Sequence, residues 1–347
     1  IIESDEQSCY LGECALVEKT SPIAKMNFPV GTTLIDENAS CHLALGDGFG
    51  SSDLFNHSTI HVDFMIGTAD MNIDGVTIQD FFGDFMAILT AWGLNIPVVT
   101  SVRGDPKEEY YNKLTKILAK TLMGKSAGIV LQTPDARDYF PKWMHKKAII
   151  LENPLNPAFI GEYYEGEREE EIVSVGRIDS NKNQKLIIDA FYKIANEVPE
   201  TKLILYGDGE DRQKLMDYVK RSHYAERIFF PGAVSNVKER IQKSKLFVLS
   251  SNTEGMPNAL MEAMALGLPV ISTDCPCGGS RYWIEHGVTG QLVPVKDVEA
   301  MAEAIEYYIQ NPQQAEEMAE SARERLLEAT VDKVFEQWEK YIEKTLH

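Results

Sequence analysis

Positively charged residues are almost missing from the first third of this 347-residue sequence. Residues 1–102 contain only Lys19 and Lys25 as cations, against fourteen Asp and Glu residues, and the whole chain has a formal net charge of −19. An acidic chain of this kind is repelled by the phosphate backbone of DNA and RNA. The composition therefore argues against nonspecific nucleic-acid binding.

The sequence also lacks an uninterrupted apolar run long enough to cross a membrane. Its longest stretch without charged residues, Phe85 to Val102, is broken by glycine, asparagine and Pro97, which favours the end of a helix followed by a buried strand. The first residues are acidic from Glu3 onward, unlike the basic start of a secretory signal. We therefore expect a cytoplasmic protein, and the start at Ile1 leaves the extent of the reading frame open.

Cysteines are few, and their spacing does not suggest a metal site. Their odd number and irregular positions favour reduced thiols over disulfides or zinc. His57 and His61, with Asp63, have a spacing that fits a metal only on a helix, and their segment is not clearly helical. We therefore predict no metal and no cofactor. The five cysteines are Cys9, Cys14, Cys41, Cys275 and Cys277.

Apolar segments alternate with helical patterns from the middle of the chain onward. Such alternation predicts a parallel, doubly wound α/β sheet. The predicted strands lie near residues 172–175, 202–206, 228–230, 246–249, 269–272 and 290–294.

The chain is too long for one compact core and suits two domains. The segment NPLNP, from Asn153 to Pro157, cannot form a regular helix and indicates a hinge between them. We predict a first domain over residues 1–156 and a second over residues 157–347. An amphipathic pattern predicts a final helix over residues 331–346.

The stretch EGMPNALMEAMALGLPVIST places Glu254 and Glu262 around a predicted helix start. Pro257 suits the first helical position, so we expect Glu254, Gly255 and Met256 to form an entry loop and a helix to run from Pro257 to about Leu266. Free backbone N–H groups and the positive end of the helix dipole would then attract a phosphate or a sugar oxygen. If the helical geometry extends through the whole motif, Glu254, Asn258 and Glu262 form one polar stripe. The alternative is that Glu254 only complements the dipole and Glu262 only faces water.

A second motif, EIVSVGRIDSNKNQKLIIDAF, carries two cations. An apolar strand ends at Gly176, a helix resumes near Gln184, and Arg177 and Lys182 lie in the loop between them. Ligands of open α/β sheets bind at the carboxyl ends of the strands, where these cations could neutralise a diphosphate. Two solvated loop cations are the alternative interpretation.

The segment from about Asn153 onward resembles the donor-binding half of retaining GT-B glycosyltransferases of family 4, which build capsules, lipopolysaccharides and other bacterial surface glycans. The resemblance covers more than half of the chain, with its landmarks in the expected order. Besides the two motifs above, it rests on LILYGDGEDRQKL with Gly207 and Gly209, FFPGAV around Gly232, and HGVTGQLVP around Gly290.

The resemblance implies a role for each matching residue. The positions of Arg177 and Lys182, after Gly176, grip the donor diphosphate and form the catalytic set with Glu254. Glu254 and the N–H groups after it address the transferred sugar, and Glu262 binds the ribose. The other donor-binding positions are Gly207, Gly232, Ala233, Val234, Gly255, Met256, Pro257 and Asn258, with Ala233 and Val234 near the base.

The resemblance further implies two Rossmann-like domains that face each other across a cleft, with the final helix crossing back to the first domain. It implies a metal-independent, retaining transfer of a hexose or N-acetylhexosamine from a UDP-sugar to a glycan or lipid-linked acceptor. Arg103 and Asp105 occupy the loop where related enzymes place polar groups near sugar and acceptor. The early strand with a Gly-Gly-rich loop, usual in this family, is missing, and LGDGFGSSD at residues 45–53 is a weak substitute.

Two alternative functions, and a separate question of membrane contact, remain open at the level of sequence. The chain could be a GT-B nucleotide-sugar epimerase, or a nucleotide-sugar-binding partner subunit that has lost its chemistry. Lys113, Lys116 and Lys120 would share one helix face, and YFPKWMHKK interleaves aromatic residues with cations. These segments could make a peripheral contact with an anionic membrane at the inner face of the plasma membrane, or they could simply be solvated.

Overall fold

The computed structural model describes residues 97–346 without 162, 163, 165 and 328, together with short pieces at 60–61, 71–73, 76–78, 88–89 and 91. The chain divides into two compact units. Unit 1 is composed of Ile1–Leu131, Arg137–Leu151 and Phe335–His347, and unit 2 of Gln132–Ala136 and Glu152–Val334.

Unit 1 contains a parallel sheet with the strand order β1-β4-β5-β6 and a separate antiparallel pair, β2 and β3. The central strands are runs of β-branched and other apolar residues, and Val99, Ile129 and Val130 are fully buried, as expected for a parallel sheet covered on both faces. The strands are β1 (Ile60–His61), β2 (Met71–Ile73), β3 (Val76–Ile78), β4 (Val98–Val102), β5 (Gly128–Leu131) and β6 (Ala148–Ile150), and the helices that follow β3 are α1 (Pro106–Glu109), α2 (Lys113–Leu122) and α3 (Pro134–Tyr139).

Unit 2 is built on a six-stranded parallel sheet with the order β12-β11-β10-β7-β8-β9. Its strands are β7 (Glu169–Val175), β8 (Lys202–Tyr206), β9 (Ile228–Gly232), β10 (Ser244–Leu249), β11 (Val270–Thr273) and β12 (Gln291–Val293). Its helices are α4 (Gln184–Ile194), α5 (Arg212–Val219), α6 (Val237–Ile241), α7 (Asn258–Ala265), α8 (Gly279–Trp283), α9 (Val298–Gln310) and α10 (Pro312–Leu326).

The strand order of unit 2 reverses between β7 and β10. From β7 the chain continues outward to β8 and β9, and then returns to β10 on the other side of β7. Helices on either side of the reversal diverge, which leaves a crevice at the carboxyl ends of these two strands. The fold therefore places the loops after Val175 and Leu249 at its expected ligand-binding edge.

The predicted α/β alternation is confirmed, because each of the six predicted strands overlaps a strand of unit 2. The predicted helix start at Pro257 is wrong by one residue. Pro257 is the N-cap, with an extended backbone, and α7 begins at Asn258. Glu254 lies in the loop before the helix, as predicted, so the polar stripe with Asn258 and Glu262 that a longer helix would give does not form.

The last helix, α11 (Val331–Leu346), has the predicted bounds. In unit 1 its Tyr341 hydroxyl accepts a hydrogen bond from the Ile129 N–H at 2.7 Å. The same hydroxyl contacts the Lys147 carbonyl oxygen, so the side chain bridges β5 and the residue before β6. Within the described residues, none of the helices combines the length and apolar character needed to cross a bilayer.

Candidate functional site

Two loops meet at the carboxyl ends of β7 and β10, and Asn181 joins them. Its side-chain amide donates to the Thr253 carbonyl oxygen at 3.1 Å, and its Oδ1 accepts from the Thr253 N–H at 3.1 Å. The Asn252 N–H donates to the Asn181 carbonyl oxygen at 2.7 Å, and the Ser250 hydroxyl donates to the Lys182 carbonyl oxygen at 2.7 Å. The cationic loop and the loop that carries Glu254 are thus fixed to each other.

Lys182 and Glu254 form an ion pair across this junction. The Lys182 ammonium lies 2.5 Å from Glu254 Oε1, and both side chains are largely buried, with 22% and 11% of their surface exposed. The Ser251 hydroxyl donates to the same carboxylate oxygen. A charge pair with this degree of burial is held in a defined geometry, unlike a solvated surface pair. The structure thus brings the two predicted catalytic charges together.

Arg177 lies in the same loop as Lys182, and its side chain is more exposed. Its guanidinium pairs with the Asp179 carboxylate, and its carbonyl oxygen accepts from the Gln184 side chain at 2.8 Å. Burial alone would raise the pKa of Asp179, but the backbone N–H of Lys182 and the Arg177 guanidinium outweigh it and lower that pKa. Asp179 is therefore an anion that shapes the loop by accepting two of its N–H groups, from Asn181 and Lys182.

Glycines keep the neighbouring strand ends open. Gly207, after β8, has φ +135°, and a Cβ at this position would lie 1.9 Å from the Gly176 carbonyl oxygen. Gly232 ends β9, and its carbonyl oxygen accepts from the Gly207 N–H at 2.9 Å. It is followed by the exposed Ala233 and the half-buried Val234. The predicted diphosphate and base positions therefore share one edge of the sheet.

The residues immediately before α7 are buried and closely packed. Gly255, Met256 and Pro257 are buried. The Trp283 indole N–H donates to the Met256 sulfur at 2.8 Å. A Cβ on Gly279 would stand 1.8 Å from the Gly255 carbonyl oxygen, so this approach admits only glycine. The first turn of α7 is thereby held rigidly, and its first N–H groups lie at the same sheet edge as Lys182.

Three side-chain amides form a relay that ends at the start of α7, and sequence reasoning missed it. Gln132 donates to Asn153 Oδ1 at 2.6 Å, and Asn153 donates to Asn258 Oδ1 at 2.6 Å. Gln132 and Asn153 are buried, whereas Asn258 is exposed. Because Asn258 Oδ1 is already used as an acceptor, its Nδ2 is left to donate outward. Glu262 lies one turn further along α7 and is partly exposed.

The two cysteines near the site are structural. Cys275 and Cys277 are free and buried. Burial raises the pKa of the Cys275 thiol to about 12, and the nearby Glu254 carboxylate adds to the rise. The Cys277 sulfur lies 3.5 Å from the Thr133 hydroxyl. The environment of Cys275 therefore disfavours the thiolate, which is the reactive form.

Arg103 and Asp105 lie in unit 1, after β4. Asp105 is buried, and its carboxylate accepts from the Lys107 N–H at 2.9 Å, so it is the N-cap of α1. Arg103 is partly exposed. Across the described residues, His, Cys, Asp and Glu side chains form no group of three or more that could hold a metal ion.

Residues 1–81 match the family described as thermophilic metalloprotease (M29). Similar proteins include aminopeptidase AmpS of Bacillus subtilis, which is 47% identical over 91 residues, corresponding to 22% of this chain and 22% of that protein. Residues 1–81, which lack the Gly-Gly-rich loop of the glycosyltransferases, are therefore similar to a different class of protein.

The second half of the chain is similar to glycosyltransferases. N-acetyl-alpha-D-glucosaminyl L-malate synthase of Bacillus anthracis is 34% identical over 179 residues, 51% of this chain and 46% of that protein. The Anabaena protein HepE, solved in complex with UDP, has a TM-score of 0.68 at 16% identity and covers 76% of both chains. The chain spans about half the length of the first curated relatives that it matches.

The family model described as glycosyl transferases group 1 matches residues 158–325, which include every predicted catalytic and donor-binding residue. The solved structures share the α/β architecture of GT-B glycosyltransferases. Residues 158–325 are thus similar to the glycosyl transferases group 1 family, and the α/β architecture is that of the GT-B type of fold.

Proposed function

We propose that unit 2 binds a nucleotide-sugar donor at the carboxyl edge of its sheet and that the protein transfers the sugar to an acceptor. The observation that carries this proposal is the fixed junction of Lys182, Glu254 and the start of α7 at the strand-order reversal. It combines a cation, free helix N–H groups and a carboxylate acceptor. A diphosphate needs the first two, and sugar hydroxyls need the third.

The chemistry follows from where charge develops during transfer. When the bond between the sugar and the diphosphate breaks, negative charge grows on the leaving phosphate oxygen. Lys182, Arg177 and the N–H groups of the first turn of α7 would stabilise that charge in place, without needing to reorganise. Glu254 would accept hydrogen bonds from the sugar hydroxyls, and Glu262 from the ribose. In this scheme the residues of the chain carry the charge compensation, so we propose that no metal takes part.

We further propose that the donor is a UDP-sugar carrying a hexose or N-acetylhexosamine, and that transfer retains the anomeric configuration. The presence of UDP in the HepE complex supports the choice of base. Relatives include a poly(glycerol-phosphate) alpha-glucosyltransferase of Bacillus subtilis and a Vi polysaccharide biosynthesis protein of Salmonella typhi. They support an acceptor of the surface-glycan class.

Calorimetric titration of the full chain with UDP, UDP-sugars and a GDP-sugar tests the donor site. We expect UDP compounds to bind and Lys182→Ala to weaken that binding about 10- to 150-fold, the usual value of a hydrogen bond to a charged group. Lys245→Ala is the matched control. Lys245 has a similar exposed fraction of 24% and also pairs with a glutamate, but it lies at the opposite end of β10. Equal losses in both variants, or no UDP binding by the wild type, would exclude the proposed donor site.

Transfer itself is tested by release of UDP from the donor in the presence of glycan and lipid-linked acceptors. We expect Glu254→Gln to lower turnover more than it lowers donor affinity, because the interaction with the sugar strengthens as its bond breaks. The anomeric configuration of the product, read by NMR, checks retention. A product of inverted configuration would contradict the proposed stereochemistry while leaving the donor site intact.

The M29 similarity of residues 1–81 favours one second candidate, a donor-binding protein without transfer activity. In the glycosyltransferases that this chain resembles, a first Rossmann-like half serves the acceptor. UDP-sugar binding with neither transfer nor donor hydrolysis across a broad acceptor panel would favour this candidate. Transfer by the chain alone would eliminate it.

A further inference from the structure

Two segments of unit 1 have a charge opposite to that of the rest of the chain. Residues 110–131 contain four lysines and neither Asp nor Glu, and residues 139–151 add three lysines, again without a carboxylate. The chain as a whole carries −19. The composition of the whole chain does not account for this local excess of lysines.

The same segments expose large apolar side chains. Leu114 and Ile117 of α2 are 66% and 51% exposed, Tyr111 before the helix is 65% exposed, and Trp143 is 55% exposed. A Cβ on Gly124 would lie 2.6 Å from the Trp143 ring, so the indole sits beside the end of α2. The two segments therefore form one continuous surface, which we call the α2 surface.

The arrangement of side chains around α2 is that of an interfacial helix. Thr115 and Ala119 are buried and define its inner face. At 100° per residue, Leu114 and Ile117 lie on one outer flank, and the three helix lysines lie on the adjoining outer face. Apolar residues and cations are thus presented outward together. Those lysines are Lys113, Lys116 and Lys120, and Lys142 and Lys146 flank Trp143 in the second segment.

These five lysines also differ from those of unit 2 in their partners. Counting only the residues that the structure describes, none of the five forms an ion pair, whereas six lysines of unit 2 each pair with a carboxylate. Lys147 is turned inward and donates to the carbonyl oxygens of Gly124 and Ser126 at 2.6 Å. The outward cations are therefore available to an external anion.

We propose that the α2 surface docks on an anionic lipid bilayer. Exposed aromatic and aliphatic side chains enter the headgroup region, and the lysine ammonium groups bind lipid phosphates. Each lysine near an anionic leaflet contributes roughly fivefold in affinity, so five unpaired lysines suffice for binding that depends on lipid charge. The net charge of the remaining chain opposes any weaker, nonspecific adsorption.

Sedimentation of the full chain with vesicles tests this proposal. We expect binding to phosphatidylcholine vesicles that contain phosphatidylglycerol, weak binding to phosphatidylcholine alone, and loss of binding at high salt because the charges are then screened. The double variant Lys116→Glu and Lys120→Glu should lose more than about tenfold in affinity. The control is Lys214→Glu with Lys220→Glu, which changes the net charge equally but at α5.

The apolar contribution has its own test. Leu114→Ser with Ile117→Ser should weaken vesicle binding, whereas Val288→Ser, at an exposed position of unit 2, should leave it unchanged. Brominated lipid should quench the wild-type tryptophan fluorescence but not that of Trp143→Phe.

Equal binding to both vesicle types, equal effects of test and control variants, or dimerisation that depends on the same residues without vesicle binding would each overturn the proposal. UDP binding, measured on every variant, keeps this outcome separate from that of the donor site.

Discussion

Asn153→Asp replaces one NH₂ group by an oxygen atom and leaves the shape of the amide relay intact. In the wild type Asn153 accepts from Gln132 and donates to Asn258 Oδ1. An aspartate can accept from Gln132 but, when ionised, has no hydrogen to donate. Asn258 must then turn its amide so that Nδ2 donates to the introduced carboxylate. Its Oδ1 would face the start of α7, where we propose that the diphosphate binds.

The expected loss of UDP affinity follows from the groups that bind the diphosphate. The turned amide removes one donor to an anionic ligand and offers an oxygen in its place. Loss of a hydrogen bond to a charged group costs about 1.5–3 kcal/mol, or roughly 10- to 150-fold in affinity for UDP. Position 153 is also buried, so the introduced carboxyl should have a raised pKa. Once protonated, it can donate to Asn258 Oδ1 and restore the original relay.

Calorimetric titration with UDP at pH 8 and at pH 5.5 measures both effects. We expect weak binding by Asn153→Asp at the higher pH and partial recovery at the lower one, while the wild type changes less between them. Asn196→Asp is the control, because it adds the same charge at a residue of unit 2 whose side-chain oxygen accepts from the Tyr224 hydroxyl. Wild-type affinity of Asn153→Asp at pH 8 would refute the orienting role of the relay.

Three further predictions concern stability and are checked by urea unfolding. Gly279→Ala should lower the free energy of unfolding by about 3 kcal/mol or more, because its Cβ would clash with the Gly255 carbonyl oxygen. The control, Gly161→Ala, adds only an ordinary contact and should stay within about 0.5 kcal/mol of the wild type. Asp179→Asn should lower the free energy of unfolding by about 2 kcal/mol at pH 7. The pKa of Asp179 is lowered in the folded protein, so its stabilising contribution is present above the unfolded pKa and is lost as the pH falls through the folded pKa. The stabilities of the variant and the wild type should therefore converge in acid. Tyr341→Phe should cost about 1–3 kcal/mol, because it leaves the buried Ile129 N–H without its acceptor. An unchanged stability in the first or third variant, or a pH-independent difference in the second, would contradict the corresponding contact.

Much of unit 2 could be predicted because its signals are local. Apolar strands that end in glycine, separated by helical periodicity, specify a parallel sheet, and the positions of Arg177 and Lys182 follow directly from the end of β7. The amide relay could not be predicted, because Gln132 and Asn258 are far apart in the sequence and only tertiary packing joins them through Asn153. The loop position of Glu254 could be predicted, because Pro257 marks a helix start. The polar stripe that a period of four would give does not form, because the N-cap at Pro257 and the ion pair with Lys182 keep Glu254 in that loop.

The acidic first segment could not be assigned to a class of protein from its composition. Its scarcity of cations and the missing Gly-Gly-rich loop marked residues 1–102 as unusual, but composition alone could not say what they resemble. The match to the metalloprotease family rests on residues 1–81, which contain His57, His61 and Asp63. These residues lie in the part of the chain whose side chains are not described.

The bonds that Asn181 makes to Thr253 and Asn252 have a consequence for how a ligand would be sensed. Lys182 and Glu254 follow different strands, yet neither loop can shift without carrying the other. At the donor site that we propose, a phosphate that attracted the Lys182 ammonium would therefore also free lone pairs of Glu254. Occupation of one half of the donor would in this way prepare the other half, so that the diphosphate and the sugar are bound as a cooperative pair.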